Sequence, residues 1–315
     1  MAFAKRIFLF LAVNLLIMVT ITITVNLVLA FFGISPSSIY QQGYGGGLNL
    51  GELMAFCLVW GFAGALISLA LSRFMAKMMM GVKVIDPNQP GSSDARELVG
   101  MVHRLARSAG LPAMPEVGIF ESPEVNAFAT GPTKSRALVA VSSGLLSSMD
   151  KDAIEGVLGH EIAHISNGDM VTMTLLQGLI NSFVLFFSKI AAWALANAMS
   201  GNDRESRRPS PWIYYISEML FQILFSVLGM FVVAYFSRRR EFRADQGGAG
   251  FAGREKMVHA LQSLQRTYEP NDEEASAANN AVAALKISGR TGGVLALLST
   301  HPPLQARIDA LRSSR

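Results

Sequence analysis

The chain is 315 residues long, 51% hydrophobic and only 16% charged, with a formal net charge of +4. An ordinary globular domain is about a quarter charged, so this composition excludes a wholly water-solvated fold and points to a membrane. The single cysteine, Cys57, excludes an intrachain disulfide. The absence of an interleaved basic and aromatic stripe argues against a nucleic-acid partner.

Residues 7–32 carry no charge. That run is too long for a signal-peptide core of about 7–15 residues, so it reads as a retained anchor. A second uncharged run, 53–72, follows a Gly-rich loop, 33–52, that has no Lys or Arg. Arg73, Lys77 and Lys83 come next, and segment 84–91 reads as a linker. Ser92, Ser93 or Asp94 then caps an amphipathic helix to about Ser108, with Leu98, Met101, Val102 and Leu105 on one face. Short apolar runs at 116–120, 125–130 and 137–142, separated by Ser-Pro and Gly-Pro turns, predict a small antiparallel sheet.

Asp150 is an N-cap candidate for a helix over about 150–168, and this helix contains His160-Glu161-Ile162-Ala163-His164. Positions i and i+4 share a helix face, so the two imidazoles can reach one metal. Glu161 lies beside them and can take a proton from water activated there, since zinc lowers the pKa of such a water to about 7. Histidines at this spacing also occur in ordinary helices, where they cap, pair or face water. Gly159 permits a close approach to the helix just before the first histidine.

Third and fourth apolar runs follow at 171–188 and 219–236, near the lower length for a span, so a buried or re-entrant hairpin is the alternative to two crossings. Lys189 lies 25 residues after His164, and Glu218 lies 23 before Glu241. At about 1.5 Å per residue both fall about 35 Å from the metal plane, where they are expected to face each other. The basic residues flanking the runs, including Arg238, Arg239, Arg240 and Arg243, put the N-terminus and segments 73–170 and 238–315 in the cytoplasm. Arg204, Arg207 and Arg208 in loop 200–211 dissent. The chain thus divides into membrane helices (1–80), a first catalytic part (81–170), a helical hairpin (171–237) and a second catalytic part (238–315).

After the fourth run comes Glu241-Phe242-Arg243-Ala244-Asp245. A catalytic zinc usually has three protein ligands, and Glu241 completes a His2Glu set. Asp245, one turn on, is placed to accept a ring N–H from a ligating histidine. The alternative is a solvated charged turn. One zinc can bind all three ligands only if the chain returns to the same side of the membrane between them, which two crossings or a re-entrant hairpin achieve. His259 sits in an apolar frame and reads as structural, and 268–280 reads as a mobile acidic loop. His301, in Ser299-Thr300-His301-Pro302-Pro303, is either a turn residue before a Pro-initiated helix or an oxyanion donor near the metal.

H-E-x-x-H, a long apolar insertion, E-F-R-A-D and S-T-H-P-P-L, in that order, resemble the M48 metallopeptidases over nearly the whole chain. The resemblance implies an α-helical membrane protein with four transmembrane helices and an α+β zincin-type (gluzincin) catalytic domain. It implies a zinc endopeptidase of the bacterial cytoplasmic membrane, acting in membrane-protein quality control and stress response. Its partners would be the bilayer and membrane-protein or unfolded polypeptide substrates. One Zn2+ per chain would be held by His160, His164 and Glu241, with Glu161 as general base and His301 drawn into the active site. Asn126, Ala127 and Phe128 resemble the substrate-side strand, which would pair with an extended peptide. The alternatives are a CAAX-type processing protease of the same family and a non-catalytic zinc-binding membrane protein. Nothing in the sequence fixes an oligomeric state.

Overall fold

The computed structural model describes residues 49–199, 211–268 and 301–313, with isolated positions between 19 and 33. Most of the first apolar run, the loops before the second and fourth runs, and the acidic segment after residue 268 lie outside the described residues. In chain order the described elements are α1 Leu50–Met79, β1 Lys83–Val84, α2 Ser93–Ser108, β2 Glu116–Phe120, β3 Ala127–Thr133, β4 Arg136–Ser142, α3 Ser143–Ser148, α4 Lys151–Asn167, α5 Asp169–Met199, α6 Pro211–Ala252, α7 Arg254–Tyr268 and α8 Leu304–Ser313. They form two compact units: Met1–Leu69 with Met173–Val233, and Ala70–Thr172 with Ala234–Arg315.

The first unit is built from apolar helix. Among the described residues, α1, α5 and α6 are long and apolar enough to cross a membrane. At about 1.5 Å per residue they run about 45–63 Å, against a ~30 Å hydrocarbon core. The third and fourth runs each lie in one unbroken helix, of 31 and 42 residues, with no re-entrant break. Where α1 meets α5, a Cβ on Gly61 would lie 2.8 Å from Gly178 O, so only glycine allows this approach. Small residues serve the same purpose in other membrane helix pairs. Lys189 Nζ donates to Glu218 Oε1 at 2.7 Å, and Gln222 Nε2 donates to the same oxygen at 3.3 Å. The facing pair expected from the sequence spacing is therefore present.

The second unit packs helices on a sheet of order β1-β2-β4-β3. The expected sheet exists, but it is mixed rather than antiparallel. β2 and β4 run parallel, while β1–β2 and β3–β4 are antiparallel. The reason lies in the connection after β2. Residues 121–126 do not close a hairpin; they lead the chain to the far edge, where β3 begins, and β4 then returns between β3 and β2. β4 can sit there because Ala137–Ser142 are all buried, as strands covered on both faces are. One core joins α2, the sheet, α4 and α7 through Val102, Leu105, Val139, Leu158, Ile162, Ile165 and Ala260. Each fully buried Leu or Ile contributes about 1.5–3 kcal/mol.

Candidate metal centre

The helix α4 is set at both ends. The Asp150 side chain accepts from Ala153 N at 2.9 Å, and from His259 Nε2 at 2.7 Å. At the other end Gly168 adopts φ 72°, and its N–H reaches back to His164 O and Ile165 O. That left-handed position suits glycine. It also ends the helix so sharply that Asp169, the next residue, turns back onto His164.

Between these caps, the Nε2 atoms of His160 and His164 lie 3.1 Å apart. Glu241 arrives from α6, with Oε2 3.4 Å from His160 Nε2 and Oε1 3.5 Å from His164 Nε2. The remaining ring nitrogens face carboxylates: His160 Nδ1 lies 2.9 Å from Asp245 Oδ1, and His164 Nδ1 lies 2.7 Å from Asp169 Oδ2. Carboxylates accept, so both Nδ1 atoms carry the hydrogen. That leaves both Nε2 atoms, close to each other and to the Glu241 carboxylate, to take either a proton or a metal ion. Donors around a tetrahedral zinc at about 2.0–2.1 Å are separated by about 3.3 Å; the two imidazole nitrogens are close to that spacing, and each has a different oxygen of the Glu241 carboxylate nearby. Among the described residues, these three are the group that could hold a metal ion.

The electrostatics agree. Burial disfavours a charged His160, but the Asp245 and Glu241 carboxylates outweigh it and raise the ring to about 9. Burial likewise opposes a charged Glu241, yet its contacts with His160 and His301 hold it well below the usual carboxylate range. The negative potential that would hold a proton here also holds a cation.

Two residues at this site were not singled out from the sequence. Asp169 is one, and its signal was its place directly after the Asn-Gly helix stop. The other is Arg307 on α8. Its guanidinium grips Asp245 with two bonds, Nε to Oδ2 at 2.8 Å and an Nη to Oδ1 at 2.6 Å. Burial lowers the pKa of Asp245's partner, but the Asp245 carboxylate more than compensates, so Arg307 stays charged. An arginine on the buried stripe formed with Ile308 and Leu311 was the available clue.

The other sequence candidates fall as follows. Glu161 is half-buried, next to His160 on α4. His301 Nδ1 lies 2.9 Å from Glu241 Oε2, although the side chain is 64% exposed. Asn126 directly precedes the edge strand β3, Ala127 opens it, and the Phe128 ring packs 5.6 Å from Phe120. Gly159 makes the close contact anticipated for it, with Gly248 O 3.2 Å from where a Cβ would stand.

Comparison with known proteins follows the same lines. The family description "Peptidase family M48" matches residues 92–315. The chain is 50% identical over 312 residues to "Protease HtpX homolog" of Bacillus velezensis, covering 98% of this chain and 99% of that one. It is 50% identical over 311 residues to the protein of the same description from Bacillus subtilis, at 98% and 99% coverage. It is 44% identical over 310 residues to "Protease HtpX" of Shewanella halifaxensis, at 98% and 100%. The crystal structure of S. mikatae Ste24p is similar with a TM-score of 0.60 and 19% identity, covering 96% of this chain and 64% of that chain. At that identity the likeness concerns the fold alone.

Proposed function

This chain belongs to peptidase family M48 and is a membrane zinc protease, and from that premise we propose that it is an endopeptidase cutting misfolded or damaged membrane proteins at the cytoplasmic face of a bacterial inner membrane. The observation that carries the reading is the buried trio His160, His164 and Glu241, with ligand atoms close enough to share one metal ion and Glu161 beside it. In this reading those three hold one zinc per chain. Bound zinc would supply Lewis acidity, bringing the pKa of a coordinated water down to about 7. Glu161 takes a proton from the attacking water and delivers it to the leaving amine. Asp245 and Asp169 fix the ring orientations of His160 and His164, and Arg307 fixes Asp245. His301 stands beside Glu241 and donates to the developing oxyanion.

The edge position of β3 favours an extended peptide as substrate, laid along Asn126, Ala127 and Phe128 with its main-chain hydrogen bonds going to the outward-facing residues of the strand, Ala127 and Ala129. Unfolded loops and damaged segments offer such a strand, whereas a folded domain does not. The cytoplasmic orientation rests on the basic residues Arg73, Lys77, Lys83 and Arg238–Arg240 flanking the apolar runs. The test uses purified full-length protein in oriented membrane vesicles with β-casein added outside. Inverted vesicles should cleave it, with the activity abolished by a chelator and restored by zinc. Cleavage confined to right-side-out vesicles would overturn the orientation, and chelator-resistant cleavage would overturn the mechanism.

A further inference from the structure

We propose that Ser142 and Lys134 are positioning residues for substrate, fastening the two ends of β3 so that its open edge is held ready beside the metal helix. The inference rests on the reading of β3 as the substrate strand. Neither residue touches the metal trio or the attacking groups.

Ser142 is fully buried at the end of β4. Its hydroxyl donates to Glu124 O at 2.7 Å and accepts from Asn126 N at 3.0 Å and Leu145 N at 3.0 Å. A serine hydroxyl has one hydrogen and two lone pairs, so its capacity is fully used. Its backbone N–H also donates to Asn126 O at 2.9 Å, so Asn126 is gripped on both its N–H and its C=O. The neighbouring loop is pinned in the same way. Ser143 Oγ donates to Ser122 O at 3.0 Å, and Gly144 N donates to the same oxygen at 2.8 Å. A Cβ on Gly144 would lie 2.4 Å from Pro123 O, so the loop lies flat against the start of α3.

The far end of β3 is held differently. At the β3–β4 turn, Lys134 Nζ donates to Ser166 O in the last turn of α4, two residues past His164. A cation suits a helix C-terminus. The contact ties the hairpin tip to the helix that carries both histidines. Between the two fastenings β3 pairs regularly with β4 from Ala127 to Thr130, and the register then breaks before Thr133. Gly131 sits in that break at φ 148°, and Pro132, which has no N–H, follows it. The stretch able to template a peptide is therefore Ala127–Thr130, bounded by Ser142's grip on one side and by the bulge and Lys134 on the other. A preorganised edge lowers the ordering cost of binding, so its loss should appear as weaker binding and leave the chemical step alone.

The experiment measures kcat and KM of the full-length zinc-loaded protein on a quenched fluorogenic peptide from a β-casein cleavage site, alongside the same peptide with N-methylated backbone amides. Ser142→Ala is expected to raise KM about tenfold, in line with losing a satisfied buried hydrogen bond. Lys134→Met, at an exposed site where folding is not at stake, should raise it about threefold, a surface charge–dipole effect. In both, kcat and bound zinc should stay near wild type, and Lys134→Arg should restore KM. Ser147→Ala, a hydroxyl bonded only within α3, should change nothing. If N-methylation leaves KM unchanged, β3 does not template the substrate and both readings fall. If N-methylation raises KM while Lys134→Met and Ser142→Ala bind peptide like wild type, the substrate strand stands and the fastening role is overturned. Loss of zinc or of kcat at unchanged KM would equally overturn it.

Discussion

Gly248→Ala should loosen the metal site from a distance of two helical turns. Gly248 lies on α6, seven residues after Glu241, and faces α4. A Cβ there would stand 2.9 Å from His160 N, 3.0 Å from Met257 Sδ and 3.1 Å from Gly159 C. The thioether can move aside, but the α4 backbone cannot. Carbon atoms rest at about 3.5–4.0 Å, so the helices must part by about half an ångström or more. Overpacking of this kind costs about 1–3 kcal/mol. The parting also stretches the 3.4 and 3.5 Å separations of Glu241 from the two histidines. Zinc affinity should fall about 10–100-fold, comparable to losing a hydrogen-bond partner of a ligand. Gly250→Ala is the internal control. Its Cβ meets nothing within 4 Å, and alanine is up to about 1 kcal/mol better than glycine in a helix. The assays are thermal unfolding of the zinc-free protein, zinc affinity by competition with a chelating dye, and the visible spectrum of the cobalt-substituted form. Wild-type stability and zinc affinity in Gly248→Ala, or damage from Gly250→Ala, would refute the close-packing argument.

Other substitutions separate the roles at the site. Glu241→Ala should cost both zinc and activity, measured by metal analysis, while Asp245→Ala should weaken zinc about 10–100-fold; full zinc affinity without Glu241 would make another carboxylate the third ligand. His301→Ala should lower turnover about 10²–10³-fold with zinc retained, whereas loss of zinc instead would mean that His301 serves only to steady Glu241. In the apolar unit, Lys189→Glu should lower folding yield, and adding Glu218→Lys to the same chain should restore it; absence of rescue would show that the 2.7 Å pair contributes nothing.

The parts of the molecule governed by local period were readable in advance. His160 and His164 share a face because they are four apart, and Asp245 reaches His160 because it is one turn from Glu241. Asp150 and the stop at Gly168 bound α4 through short-range capping. Long-range arrangement was less accessible. The three apolar runs suggested strands, but their order depends on how 121–126 is pinned by Ser142 and Ser143, a tertiary arrangement with no local signature. Arg307 stayed hidden for a related reason. An arginine on a helix usually faces water, and only the fold brings α8 close enough for its guanidinium to grip Asp245, 62 residues away in sequence. The helix carrying Glu241 is also continuous with the fourth apolar run, because nothing between Phe236 and Glu241 breaks a helix.

The most direct test of zinc-dependent proteolysis at this site compares wild type with Glu161→Gln in one preparation, measuring zinc per chain and cleavage of β-casein together. Glutamine keeps the shape of Glu161 and leaves His160, His164 and Glu241 untouched, but it cannot accept the proton of the attacking water. The account predicts one zinc per chain in both proteins and cleavage only by wild type. Cleavage by zinc-loaded Glu161→Gln, or by wild type stripped of zinc, would contradict it.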